Sequence, residues 1–296
     1  MNADPYPHTS TACPAALGSL PNPLPARGAF HDRVTKVVDT PGSFVFAARP
    51  PLTKPWLAGE TMHDNNNPTE PGGHPALGGS CLLRGLPAKQ AQSLADELTR
   101  TRFLPGIVIH REGDPRADLH VLCDGKVKIS QTTGGDVQQL KVVAGPGDLL
   151  GDEPYLTPGV HTTTATAATL VTVARISCAA LADWAGREPA IGREIQRDHD
   201  AAMVAAGQRL ADRVSLSATG RLAKLFLLLA HRFGTADNGT VRLKHHLDHT
   251  ELGDLIGASR QAVHGALAEL TRLGLLSTRR RGVVLLDPEA LARRIR

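Results

Sequence analysis

Ser259, Arg260, Gln261 and His264 carry the most legible chemistry in this chain. A helix capped by Ser259 would place Arg260, Gln261 and His264 together near its N-terminal end. Arginine, amide and imidazole side chains hydrogen-bond base edges in a DNA major groove. A little further on, Arg279, Arg280 and Arg281 stand in a row before Gly282. On the tip of a hairpin they would face phosphate oxygens, which contribute affinity without sequence selectivity.

The stretch from Asp248 to Leu276 supplies the elements that must position these groups. Asp248 can cap a first helix, with Glu251 three positions later bonding back to the cap. Leu252, Leu255 and Ile256 recur at helical spacing. Gly257 sits where that helix must stop and turn, a task suited to a residue without Cβ. Val263, Ala266, Leu267 and Leu270 form the buried stripe of a second helix, opposite Arg260, Gln261 and His264, and Gly274 ends it. Leu275 to Thr278, a turn over Arg279 to Gly282, and Val283 to Leu286 then read as a β-hairpin, the wing of a winged helix-turn-helix.

Two helices joined at a glycine are common and most bind nothing. The charge distribution separates this pair from that background. From Ser217 to the end the chain holds 13 Lys+Arg and 7 Asp+Glu, or 13 − 7 = +6, whereas the whole chain is +4. The basic excess therefore lies in the presumed reading head.

Composition excludes several classes. At 296 residues and 41% hydrophobic there is room for two cores. No apolar run reaches the ~18 residues of a membrane span, and no basic start followed by an apolar stretch marks a secretory signal. Cys13, Cys81, Cys123 and Cys178 are too scattered for a compact metal framework, so no metal is expected and the reading is a cytoplasmic protein. Aromatics are 3%, too few for single-strand stacking platforms. No nucleophile–base constellation, P-loop or zinc spacing appears, so no enzyme is expected.

Along the chain, residues 1–80 read as a Pro/Gly-rich disordered tail, with one short β-like piece over Ser43 to Ala47. Met62 offers an alternative start, leaving open whether residues 1–61 are translated. Residues 81–187 read as a β-roll. A helical pattern from Leu86 to Arg102 comes first. Short strands follow over Gly106–His110, Leu119–Cys123, Lys126–Gln131, Val137–Val143 and within His161–Ile176, separated by Gly and Asp turns. Residues 188–214 form a long helix whose Ile191, Ile195, Met203, Ala206, Leu210 and Val214 lie near one stripe. That stripe suits either packing on the roll or a two-helix dimer seam, and the seam is the favoured reading. Residues 215–296 hold the winged helix-turn-helix, preceded by a helix from Thr219 to Phe233 and a short strand at Val241–Leu243. The fold class is α+β.

The glycine-punctuated roll, the long helix, SATGRLAKLFLLLAHRFG and TELGDLIGASRQAVHGALAELTRLGLL together resemble the CRP/FNR superfamily of bacterial transcription regulators. The resemblance covers roughly residues 82–290. It implies a homodimer on a near-palindromic operator of double-stranded DNA, with RNA polymerase as a further partner and a cyclic-nucleotide-binding-like roll that senses an effector. Ser259 and Arg260 match the Ser-Arg pair of the cyclic-AMP receptor. Gln261 replaces the family's Glu and Gly265 replaces an Arg, so the half-site is expected to differ from either family consensus.

At the effector pocket the family's G-E-L-(G/A) and later R-S or R-T become Gly151-Asp152 and Thr162-Thr163. Those four residues are the effector-binding candidates. No Lys or Arg occurs between Gly147 and Val173, so a cyclic phosphate would lack its charge-assisted partner. Control by cyclic AMP in the usual way is therefore not expected. An iron–sulfur sensor needs more cysteines than Cys81 and Cys123, and His110, His120 and His161 read as ordinary core or surface residues. The cofactor stays unknown. The alternative reading is an architectural DNA binder whose roll is purely structural.

Overall fold

The computed structural model of the chain describes residues 80, 82–134, 137–150 and 159–295. The expected tail below Ser80, the β-like piece at 43–47, Met62, Cys13 and Cys81 lie outside the described residues.

The roll begins with helix α1 (Ala88–Glu97), which buries Leu94 and Ala95. The helical pattern expected up to Arg102 ends early. Leu98 is extended, and Thr99–Phe103 form strand β1 instead. β-branched Thr99 and Thr101 favour a pleated chain over a helix, and the strand finds a partner far away in sequence, β7 (Val171–Ser177), from Thr99↔Arg175 to Phe103↔Val171. The remaining roll strands are β2 (Val108–His110), β3 (Asp118–Asp124), β4 (Val127–Thr133), β5 (Val137–Ala144) and β6 (Thr164–Ala167). They form two sheets, ordered β1-β7-β3 and β2-β6-β4-β5.

Strand alternation divides two cores. Leu122, Val171 and Val173 face inward and meet Val127, Ile129, Ala165 and Ala167 of the other sheet. From the opposite face of the first sheet, Leu119, Val121, Cys123, Ala174 and Ile176 pack under helices. One of those helices, α2 (Cys178–Arg187), went unread in the sequence. Ser177 caps it by accepting from Ala180 N–H, and Leu181 and Trp184 are its buried residues. Its ten residues follow a strand directly, so strand and helix patterns merge.

Helix α3 (Pro189–Ser215) runs for 27 residues. Its stripe divides. Ile191 and Ile195 join the roll core, whereas Met203, Leu210 and Val214 are 63%, 62% and 92% exposed. Near its end the Asp212 carboxylate accepts from Lys224 Nζ at 2.6 and 2.8 Å, tying α3 to α4 (Ala218–Phe233).

The head contains α4, β8 (Gly234–Asp237), β9 (Thr240–Leu243), α5 (His249–Ile256), α6 (Arg260–Arg272), β10 (Leu276–Arg279), β11 (Gly282–Leu285) and α7 (Pro288–Ala292). Its sheet is ordered β10-β11-β9-β8. Leu222, Phe226, Leu252, Val263, Leu270 and Leu285 lie in one core, and Leu140 and Val143 of the roll's β5 belong to the same cluster. Polar bonds reinforce that seam. Lys128 Nζ meets Glu251 Oε1 at 2.5 Å, Leu140 N–H donates to Asp254 Oδ2 at 3.1 Å, and Lys126 Nζ donates to the Lys244 carbonyl at 2.6 Å. Arg232 pairs with Asp148.

His245 is buried in the head beside the Phe226 ring. Its Nδ1 accepts from Leu247 N–H at 3.0 Å, which requires an unprotonated Nδ1. Burial first, then the neighbouring His246, Lys126, His249 and Lys128, push its pKa down to about 4. The unfolded chain takes up this proton near pH ~6.5, the folded chain only near 4. Stability from this group is thus complete above about pH 6.5 and lost progressively as pH falls toward 4. Urea midpoints measured across that window should fall with acidification, and His245→Gln should make the fall shallower. An identical pH profile for the variant would remove His245 from the cause.

Candidate nucleic-acid interface

The cap and turn expected from sequence form as written. Asp248 Oδ1 accepts from Thr250 N–H at 2.8 Å and Glu251 N–H at 2.9 Å, and Glu251 Oε2 accepts from Asp248 N–H at 2.9 Å. This is a complete capping box at the start of α5. Gly257 ends the helix at φ 64°, ψ 51°, the left-handed region that side-chain-bearing residues rarely adopt. Arg213 of α3 lies against Gly257, and Arg221 of α4 donates to its carbonyl at 3.4 Å.

A second glycine matters here and carried no signal in the sequence. Gly253 lies within α5, where a Cβ would stand 2.5 Å from the Ala258 carbonyl oxygen. That carbonyl belongs to the turn leading into α6, and Ala258 N–H donates back to the Gly253 carbonyl at 2.9 Å. Two backbones approach this closely only because one side chain is missing.

Ser259 caps α6 by accepting from Ala262 N–H at 3.2 Å. Val263, Ala266, Leu267 and Leu270 are buried, as their spacing requires. Arg260, Gln261 and His264 are therefore exposed together on the other side, with Ser259 beside them. Gly265 is also exposed, with open space where a side chain would begin. His249, at the start of α5, brings its ring within 6.1 Å of His264 and joins this surface. Its place directly after the cap was the one available signal.

The hairpin also forms, with each four-residue strand shifted one position toward the tip of the expected one. Arg279 and Gly282 pair across it, leaving Arg280 and Arg281 as the turn, with Arg281 at φ 53°. All three arginines are exposed. Arg279 donates to Ser277 Oγ at 2.9 Å. Gly282 lets the wing run close over the Leu243 carbonyl, 2.5 Å from where a Cβ would be.

Only two of the four effector candidates, Thr162 and Thr163, are among the described residues. Gly151 and Asp152 lie outside the described residues. Thr162 is exposed, whereas its neighbour Thr163 is buried with a hydroxyl that has no hydrogen-bond partner among the described residues. The roll also gathers His110, His120 and His161, which lie far apart in the sequence. Cys123 is buried and its thiol is pushed up in pKa, chiefly by burial, so it lacks thiolate character. Among the described residues no helix is long and apolar enough to cross a membrane.

This arrangement, a capped helix-turn-helix with an arginine-tipped wing behind a β-roll and a long helix, has close counterparts. The Crp-like helix-turn-helix domain matches residues 220–294, and the cyclic nucleotide-binding domain matches residues 100–187. The chain is 32% identical over 215 residues to a CRP-like cAMP-activated global transcriptional regulator of Mycobacterium tuberculosis, covering 73% of this chain and 96% of the relative. A CRP-family transcriptional regulator from Thermus thermophilus superimposes with a TM-score of 0.57 at 25% identity, covering 66% of this chain and 96% of that one. The c-di-GMP responsive regulator CLP of Xanthomonas campestris shares the fold at a TM-score of 0.58 and 21% identity, with 67% and 99% covered. The chain belongs to the CRP/FNR superfamily of transcription regulators. It is a DNA-binding regulator of transcription.

Gly253→Ala tests the close helix approach. Alanine gains about 1 kcal/mol of helix propensity over glycine, but overpacking against backbone costs about 1–3 kcal/mol. The steric term should win, lowering the thermal midpoint of the purified protein. A midpoint that rises would show that the turn yields freely.

Proposed function

We propose that the chain works in the cytoplasm as a homodimer on a near-palindromic operator, each protomer placing α6 in a major groove. The supporting observation is the joint exposure of Arg260, Gln261 and His264 at the capped end of a helix whose opposite stripe is buried. Arg260 suits guanine and Gln261 suits adenine. Ser259, at the same end, bonds phosphate or base. Arg279, Arg280 and Arg281 lie on phosphates, and RNA polymerase is the downstream partner. With Gln261 and Gly265 in place of the usual Glu and Arg, the half-site departs from the family's.

Each phosphate contact contributes about 0.9 to the slope of log K against log salt. Replacing the three wing arginines with Ala should therefore flatten the slope by about that amount per contact, as read by fluorescence anisotropy on operator DNA. Gln261→Ala should instead change the bases preferred, with little effect on non-specific binding. An unchanged slope would take the wing off the DNA.

The dimer rests on α3, whose Met203, Val204, Leu210 and Val214 are apolar and exposed. A second copy of the same helix would cover them. Joint Leu210→Glu and Val214→Glu substitution should convert dimer to monomer in sedimentation velocity. A wild-type chain that is monomeric at every concentration would sink the seam.

A signal in the roll would reach the head through α3 and the β5 seam, where Asp254 and Glu251 of α5 are bonded to Leu140 and Lys128. The Mycobacterium tuberculosis relative is named as cAMP-activated. Here Thr162 and Thr163 provide no cationic partner for a cyclic phosphate, so the effector is of another kind. Operator affinity measured with and without cyclic AMP decides this: a large gain with cyclic AMP would overturn it.

A further inference from the structure

Where the roll meets the head, basic side chains from separate parts of the chain crowd together. Lys126 stands just before β4, Lys244 and His246 lie between β9 and α5, and Arg281 is at the wing tip. Lys126 Nζ donates to the Lys244 carbonyl at 2.6 Å. His246 N–H donates to the Arg281 carbonyl at 3.0 Å. Gly282 brings the wing so near that an added Cβ would stand 3.3 Å from Lys244 Cα. His246 and Arg281 both hold left-handed backbones, at φ 59° and 53°. Such conformations are costly for residues with a Cβ, and they gather where a surface must keep one shape.

Among the described residues, no acid balances this group. Glu251, the neighbouring carboxylate, is occupied by Lys128 and by the Asp248 N–H. Asp248 in turn caps α5. Neither Lys244 Nζ nor the Arg281 guanidinium pairs with a carboxylate among the described residues. Lys126 Nζ lies 5.0 Å from the centroid of the Phe233 ring. Burial first, then Lys126, Arg281, Lys244 and Lys128, push the pKa of His246 down. Burial first, then Lys244, do the same to Lys126. Like charges gathered in a half-buried seam repel one another. An oxyanion among them would replace that repulsion with charge-assisted hydrogen bonds. Lys244 and Arg281 are exposed, so the notch opens to solvent.

The notch adjoins the reading surface. His246 closely precedes His249, whose ring meets that of His264 on α6, and Arg281 belongs to the wing. We propose that Lys126, Lys244, His246 and Arg281 bind one phosphate oxyanion, supplied by the DNA backbone beyond the bases that α6 reads. A free phosphate offers the same oxygens, but the notch's place beside α6 and the wing favours DNA. The proposal rests on the reading of α6 and the wing as a DNA-contacting surface. Ammonium and guanidinium groups supply charge and donors to phosphate, and a neutral imidazole adds one N–H. None of them reads a base here, so the contact adds affinity without selectivity. Through Lys126 the roll itself takes part in holding DNA. Moving the roll away from the head would open the notch and loosen that hold.

The test uses the full chain and operator duplexes recovered by selection, with and without about one helical turn (~10 bp) of flanking DNA on each side. Flanks should tighten binding in fluorescence anisotropy and steepen the slope of log K against log salt by about 0.9 for each phosphate held. Lys126→Gln and Lys244→Gln should each remove that gain, and their binding of the short duplex shows that they are folded. Lys141→Gln, exposed on β5, should keep it. A flank gain that survives both substitutions would overturn the proposal. So would the absence of any flank gain together with no saturable effect of inorganic phosphate on the His246 ring resonances. A saturable phosphate effect that Lys126→Gln removes, without a flank gain, would support the oxyanion site and assign it to a free anion. Failure of every duplex to bind would overturn the DNA reading of α6 itself, and the DNA assignment with it.

Discussion

Burial of one stripe of α6 is the constraint on which the reading surface depends. Val263, Ala266, Leu267 and Leu270 lie in the head core, and each buried Val or Leu contributes about 1.5–3 kcal/mol. Together they exceed the ~1 kcal/mol of a helix cap. The rotation of α6 about its own axis is therefore set from inside. Arg260, Gln261 and His264 face outward because a helix has only one other side. The close approach at Gly253 and the left-handed turn at Gly257 then set the angle between α5 and α6.

The same core extends beyond the head. Leu140 and Val143 of the roll share it, and Asp254 accepts a backbone N–H from β5. α5 thus serves two neighbours at once: α6, which it braces, and the roll, which holds it. A change in the roll that moves β5 acts directly on the helix supporting the reading surface. Coupling of this kind needs a two-state element, and the seam of Lys128, Glu251, Leu140 and Asp254 is where one would act. The C-terminal half of α3 stands apart, since its apolar Met203, Leu210 and Val214 are exposed.

Much of this was legible in one dimension. The capping box, Gly257, the buried stripe of α6, the hairpin and α4 each rest on contacts within a few residues, and local spacing encodes them. The roll strands were readable as a set because Gly and Asp turns punctuate them. β1 and α2 were lost for the same reason: each abuts another element with no turn between, so the change of period was hidden. β1 also depends on pairing with β7, far away in sequence by the register of Thr99 with Arg175.

By itself, the sequence determined the identity of the exposed groups on α6, the basic character of the head and the order of elements, because these follow from composition and helical period. Tertiary structure decided the rest. It showed that Gly253 is a point of contact, that β5 enters the head's core, and that α3 is half covered and half bare. It also brought His110, His120 and His161 to one cleft, having left Thr162 and Thr163 facing opposite ways. Each of these depends on which distant strands pair and pack, a long-range choice that no window of neighbouring residues contains.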